Sequence, residues 1–172
     1  MVQTEVTLTD RLRLEPISLA HVDDVAVMLA DPMVGATMNG VRDRAFAEER
    51  TRLQADGWDA HGFGLWAAYD RGGGGFVGRG GIQHTVLEGE DVVEAAWCLA
   101  PVWWGRGLAT ELGRAGLDLA FDQLGLDAVV AFTLPHNTRS RAVMERLGMT
   151  YRRDCVHVGL PHVLYASSAP SP

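Results

Sequence analysis

Between Val92 and Leu134 the chain runs apolar strand, glycine turn, amphipathic helix, apolar strand, and this order leaves few folds open. Val92 to Leu99 is apolar on both faces apart from one carboxylate, Glu94, and Ala128 to Leu134 is likewise apolar on both faces. Strands of that kind lie in the middle of a covered sheet. Between them Leu108, Leu112, Ala115 and Leu119 recur at i, i+4, i+7 and i+11, the period of one helix face. A strand–helix–strand unit of this length requires a parallel pair joined by a right-handed crossover. The turn that feeds the helix, within Pro101 to Glu111, adds a chemical constraint. The first N–H groups of a helix have no partner inside it, and the dipole places positive charge there. Gly105 and Gly107 carry no Cβ, so an anion can approach the backbone closely. The stretch reads as a phosphate cradle.

The flanking segments supply antiparallel strands and further helices. Val6 to Pro16 reads as one strand. Ser18 is an N-cap for a helix with Val22, Val25, Ala26 and Leu29 on one face, stopped at Asp31-Pro32. Met33 to Gly40 reads as a loop, and Arg42 to Asp56 as a helix with Phe46 and Leu53 two turns apart. Phe63 to Tyr69 and Phe76 to Gln83 flank a glycine run and form a hairpin. Gly73, Gly75 and Gly78 also match G-x-G-x-x-G, but strand rather than helix follows them, which argues against a dinucleotide loop. Gly113 and Gly116 each weaken their helix by ~1 kcal/mol relative to alanine, which points to close packing on the sheet. Asn137 to Leu147 is the last helix, and Thr150 to Val158 with Leu160 to Ser167 form a closing hairpin. One mixed α/β domain over residues 1–167 is expected, with 168–172 as a frayed tail.

Composition narrows the partners. The net charge is −7 and all fifteen basic residues are arginine, with no basic run, so nucleic acid is not an expected partner. Cys98 and Cys155 are too few for a disulfide framework and have no metal-ligand spacing, and His157 and His162 lack one too. There is no signal-like apolar core at the N-terminus and no apolar run near ~20 residues. A soluble, cytoplasmic protein without a metal is expected.

Three pieces carry a family likeness: G-F-G-L-W-A at Gly62 to Ala67, E-A-A-W-C-L-A-P-V-W-W-G-R-G-L-A-T-E at Glu94 to Glu111, and N-T-R-S-R-A-V-M-E-R-L-G-M at Asn137 to Met149. In this order and spacing the chain resembles the GCN5-related N-acetyltransferases (GNAT), and within them the branch of ribosomal-protein N-terminal acetyltransferases. The resemblance implies a mostly antiparallel seven-stranded sheet, about four helices, and a parallel fourth and fifth strand that splay apart. It implies acetyl-CoA as acyl donor, an amine as acceptor, and dimerisation as a family habit. The family's phosphate motif falls on Trp104 to Ala109, with tryptophan where glutamine or arginine is usual. Amides from Gly105 through Arg106, Gly107, Leu108 and Ala109 to Thr110 would hold the pyrophosphate, with Arg106 as either a phosphate donor or a solvent-exposed residue. The pantetheine arm would lie between Trp97-Cys98-Leu99 and Phe132-Thr133-Leu134, with an N–H near Cys98 or Leu99 facing the thioester oxygen.

Glu94 is the candidate base, since burial in an apolar strand raises a carboxyl toward neutrality; the plainer alternative is a glutamate facing solvent or paired with an arginine. His84 is held in reserve. Ser140 is the candidate partner of the departing thiolate, because Met144 stands where many family members place a tyrosine. Ser140 also suits an N-cap or packing role. Asn137 would bond the pantetheine amides, or serve as a turn asparagine. A non-catalytic acyl-CoA-binding module is the alternative reading, favoured by Met144.

Overall fold

The computed structural model describes residues 5–169. Its eight strands form one sheet in the order β1-β2-β3-β4-β5-β6-β8-β7. These are β1 (Thr7–Leu8), β2 (Leu12–Pro16), β3 (Leu65–Asp70), β4 (Phe76–Leu87), β5 (Glu90–Leu99), β6 (Ala128–Thr133), β7 (Thr150–His157) and β8 (Leu160–Ser168). Every neighbouring pair is antiparallel except β5 and β6, which are parallel and joined through α4 (Leu108–Asp118). The remaining α-helices are α1 (Val22–Ala30), α2 (Pro32–Gly35), α3 (Arg44–His61) and α5 (Thr138–Arg146).

Among the described residues, eight strands and five α-helices replace the seven and about four expected. The extra strand arises because Val6 to Pro16 is broken: Thr9 N–H donates to Leu12 O at 2.9 Å, turning the chain so that β1 folds back on β2. The extra helix arises at Asp31-Pro32. Asp31 Oδ1 accepts from Met33 N–H at 2.7 Å and Pro32 occupies the first turn, so the dipeptide that ends α1 also starts α2. Helix α3 buries Ala47, Thr51, Gln54 and Trp58, while Phe46 and Leu53, the apolar pair two turns apart, are exposed. The glycine run makes a hairpin turn, with Asp70 Oδ2 accepting from Gly73 N–H at 2.6 Å. Ser168, expected to begin the tail, ends β8 opposite Ala128; residues 170–172 lie outside the described residues.

The register of β4 on β5 decides what faces where. Arg79 lies opposite Cys98 and Gln83 opposite Glu94. With side chains alternating along a strand, these four share one face, and Gly80, Ile82, Ala95 and Trp97 share the other. Helix α3 covers the first face, where Gln54 meets Arg79. Helix α4 covers the second at very short range: a Cβ on Gly116 would lie 3.0 Å from the backbone of Gly81, and one on Gly113 would lie 2.6 Å from Leu147. Those are the close contacts that the two helix glycines point to. The main core runs through both layers and includes Leu12, Leu14, Val25, Trp66, Ile82 and Leu112.

Candidate active site

Strands β5 and β6 are bridged at a single register position, Glu94 opposite Val130. Beyond it the strands separate, and a cavity of about 800 Å³ opens between them, lined by Trp97, Cys98 and Leu99 on one side and Phe132 and Thr133 on the other. This is the splay expected of the fourth and fifth strands, numbered fifth and sixth once the broken first strand is counted. The backbone on its β5 wall is sorted by the antiparallel ladder. Ala100 N–H donates to Val77 O at 2.9 Å, so the alternation of the ladder turns the amides of Ala100 and Cys98 toward β4 and those of Trp97 and Leu99 toward the gap. Of the two amides named from sequence, Leu99 is the one that faces the opening.

At the far end of the gap, Gly105 (φ 73°) and Gly107 (φ 75°) adopt left-handed conformations, and Gly107 caps α4. The first intrahelical bond is Glu111 N–H to Gly107 O at 3.1 Å, so the amides of Leu108, Ala109 and Thr110 stand ahead of the ladder. Thr110 Oγ1 is buried, lines the cavity with its residue, and has no hydrogen-bond partner. A buried orphan hydroxyl beside three free amides fits an incoming phosphate. The turn is braced from both ends. Glu111 accepts from Thr9 Oγ1 at 2.6 Å, Arg11 N at 2.8 Å and Arg11 Nε at 2.7 Å. Burial pushes the Glu111 carboxyl up, but these bonds outweigh it and hold it below its ordinary value. Trp104 Nε1 donates to Leu99 O at 2.8 Å, and Trp103 Nε1 to Phe76 O at 2.8 Å. Trp104 thus secures the turn where the family motif usually has a polar side chain.

Glu94 lies on the β5 wall at the closed end of the splay, 9 % exposed, and accepts a hydrogen bond from Gln83 Nε2 at 2.9 Å. Burial raises its carboxyl to about 7, opposed by the Gln83 bond and the field of Arg50. A carboxyl held there exchanges a proton near neutral pH. On the β6 wall, Asn137 caps α5: its Oδ1 accepts from Ser140 N–H at 3.2 Å, and its Nδ2 donates to Thr133 Oγ1 at 3.1 Å. Ser140 lines the same cavity one turn into the helix, and Met144 lies below it, fully buried.

The sequence of residues 11–150 matches the profile described as the acetyltransferase (GNAT) domain. The chain belongs to the GNAT family of acetyltransferases. It is 29 % identical to an uncharacterised protein of Bacillus subtilis, YkkB, over 92 % of each chain. It is also 29 % identical to the FsC-acetyl coenzyme A-N(2)-transacetylase of Aspergillus fumigatus, over 87 % of this chain and 67 % of that one. A solved structure described as a GNAT-family acetyltransferase from Bordetella pertussis superposes with a TM-score of 0.82 at 30 % identity, covering 95 % of this chain and 99 % of that one. As a GNAT enzyme the chain is an acetyl-CoA-dependent N-acetyltransferase.

Within this GNAT site, Glu94, Trp97, Cys98, Leu99, Gly105, Gly107, Leu108, Ala109, Thr110, Asn137 and Ser140 all line one cavity. Arg106 does not: its guanidinium stacks 5.1 Å over the Trp103 ring, and its carbonyl accepts from Arg11 Nη1. His84 also stands outside the lining, bonded to Asp91 Oδ1 at 2.9 Å and stacked on His61. Burial pushes the Cys98 thiol up, which keeps it neutral. Sequence reasoning missed two groups of arginines. Arg139 and Arg146 of α5 line the cavity on the cradle side, with Arg139 over the Trp104 ring at 4.8 Å. Arg50, with Gln54 and Arg79, lines it on the α3 side. The helix pattern at residues 44–61 offered one signal, since polar Gln54 falls on the same face as Ala47 and Trp58.

Proposed function

We propose that this protein acetylates a primary amine in the cavity between β5 and β6, with Glu94 as general base. The observation that supports this most directly is a buried carboxyl raised to about 7 in the same cavity as the α4 cradle. Bound acetyl-CoA supplies an acetyl group already activated as a thioester. The amides of Leu108, Ala109 and Thr110, with the Thr110 hydroxyl, hold its diphosphate, and Arg139 adds positive charge beside them. The Leu99 amide, free of the β4 ladder, donates to the acyl oxygen as charge develops there. Glu94 takes a proton from the acceptor nitrogen, directly or through one water: from the ammonium before attack, or from a neutral amine's nitrogen as it adds to the thioester carbon. Ser140 donates a hydrogen bond to the departing sulfur in place of the tyrosine that Met144 replaces.

The demand on Glu94 depends on the acceptor. An amine of pKa ~7.8 is about a tenth neutral at pH 7, whereas one at ~10.4 is neutral in less than one part in a thousand. A carboxylate titrating near 7 matches an α-amino group or a similarly acidic small-molecule amine. A cytosolic enzyme is part of this reading, supported by Cys98 and Cys155 both being free thiols. Thiol release from acetyl-CoA over a panel of peptides and small amines tests the reading. Saturable release with at least one low-pKa amine is expected. Tight acetyl-CoA binding without release for any acceptor would instead mark a non-catalytic acyl-CoA-binding module.

A further inference from the structure

We infer that the acceptor amine also carries a carboxylate, and that Arg79 is its seat. Arg79 is 5 % exposed, lies on the wall of the cavity, and donates from Nη1 to Gln54 Oε1 at 2.8 Å; Gln54 is itself 8 % exposed. Among the described residues no carboxylate pairs with it. The arginines that do have carboxylates include Arg11 with Glu111, Arg44 with Asp23 and Arg153 with Glu88, each about half exposed or more. There such a pair contributes little. A cation removed from water without a counter-charge is costly, and here the counter-charge is missing where it would matter most.

The neighbours do not explain the charge. Cys98 lies opposite Arg79 in the ladder, but burial keeps its thiol protonated. Pinning α3 to the sheet through Gln54 needs only a neutral donor. Arg50, one turn before Gln54 on α3, lines the cavity as well, and its field reaches both Glu94 and Arg79. An acidic protein thus holds a cationic pocket on its α3 side, which draws in an anion. A guanidinium with one N–H committed to Gln54 keeps a planar edge for a two-point carboxylate bond. The seat lies on the α3 side, whereas the cradle, Arg139 and Arg146 belong to α4 and α5. That separation assigns the anion to the acceptor. The register sets the spacing: Arg79 is four residues along β4 from Gln83, the partner of Glu94, about 13 Å of strand.

This inference rests on the cavity being the acetyl-transfer site, and the test separates the two. Amines of graded length, each as the free acid and as its primary amide, are compared by kcat/KM with acetyl-CoA. The acid is expected to be preferred by about 10- to 100-fold. Arg79→Gln is expected to erase that preference, lowering kcat/KM for the acids about 10- to 100-fold more than for the matching amides, and Arg79→Lys to retain part of it. Equal use of acid and amide by the wild type, or a preference that survives Arg79→Gln, would overturn the assignment. Arg79-dependent succinyl transfer from succinyl-CoA, with no acid preference in the amine, would place the carboxylate on the acyl group and also overturn it. Should Arg79→Gln not fold, or no amine be turned over, calorimetry of glutarate against glutaramide on the wild-type acetyl-CoA complex decides. Glutarate binding at least 10-fold tighter supports the seat, and equal binding refutes it.

Discussion

Burial of Glu94, the proposed base, comes at the expense of the fold. In the unfolded chain a glutamate titrates near 4.3, whereas burial raises it to about 7 here. Below the unfolded value the side chain is protonated in both states and costs nothing. As pH rises between the two values the unfolded chain releases its proton first, so native stability falls until the folded carboxyl also ionises. Integrated over that window, the penalty at pH 8 is on the order of 3 kcal/mol. Glu94→Gln is therefore expected to lose activity yet unfold at higher denaturant at pH 8, with the gain gone by pH 4. Chemical denaturation at both pH values measures it, and equal stability of the two proteins at pH 8 would show that the carboxyl is not desolvated. The burial of Glu94 was legible from sequence because it is the lone carboxylate of an otherwise apolar strand. Arg79 was not, because its burial depends on the β4–β5 register and on α3 crossing above it, neither of which is written in the neighbouring residues.

At the scale of elements, periodicity read the core-facing helices well and the cavity-facing one badly. Helix α4 carries its apolar stripe toward the sheet, as Leu108, Leu112 and Leu119 show. Helix α3 turns Thr51 and Gln54 inward and leaves Phe46 and Leu53 outside, because part of what it covers is a polar cavity rather than core. The hydrophobic signal reverses where function occupies the buried face. The glycines of α4 were legible for the opposite reason, since close packing explains a glycine inside a helix: Gly116 meets the Gly81 backbone and Gly113 the side chains of Leu147 and Trp97. Gly116→Val places side-chain atoms against Gly81, whose backbone is already 3.0 Å from a bare Cβ. A loss of about 2 kcal/mol or more is expected in urea unfolding, from overpacking and displacement of α4. A neutral result would mean that the helix stands farther from the sheet.

At the scale of the molecule, the sheet is two blocks, β1–β5 and β6–β8, joined by one bridge at Glu94 and Val130 and by the helices that pack across them. A ligand lying in the opening would link both blocks, so acetyl-CoA is expected to stabilise the whole fold, by ~2.7 kcal/mol at 100 times its Kd. Hydrogen exchange sharpens this. Acetyl-CoA should protect the Leu99 amide, which faces the gap, well beyond the Cys98 amide, which already sits in the β4 ladder and gains only the protection shared by the whole fold. Protection of Cys98 alone would invert the assignment of the β5 wall. The family order of elements made the splay legible. The identity of the acceptor was not, because the proposed pocket needs α3 to cross over the β4–β5 hairpin, a packing that the residues of neither segment spell out.

Acetyl transfer as proposed requires Glu94 to accept a proton from the acceptor amine. Its most direct test is the pH dependence of kcat/KM, measured with an acceptor whose amine pKa lies below 5, so that the substrate is neutral throughout and any limb belongs to the enzyme. The wild type should rise to a plateau through a pKa of about 7. Glu94→Gln should lose that limb together with ~10²-fold or more of the plateau rate. A limb near 7 that persists in Glu94→Gln, with the rate undiminished, would exclude Glu94 as the base.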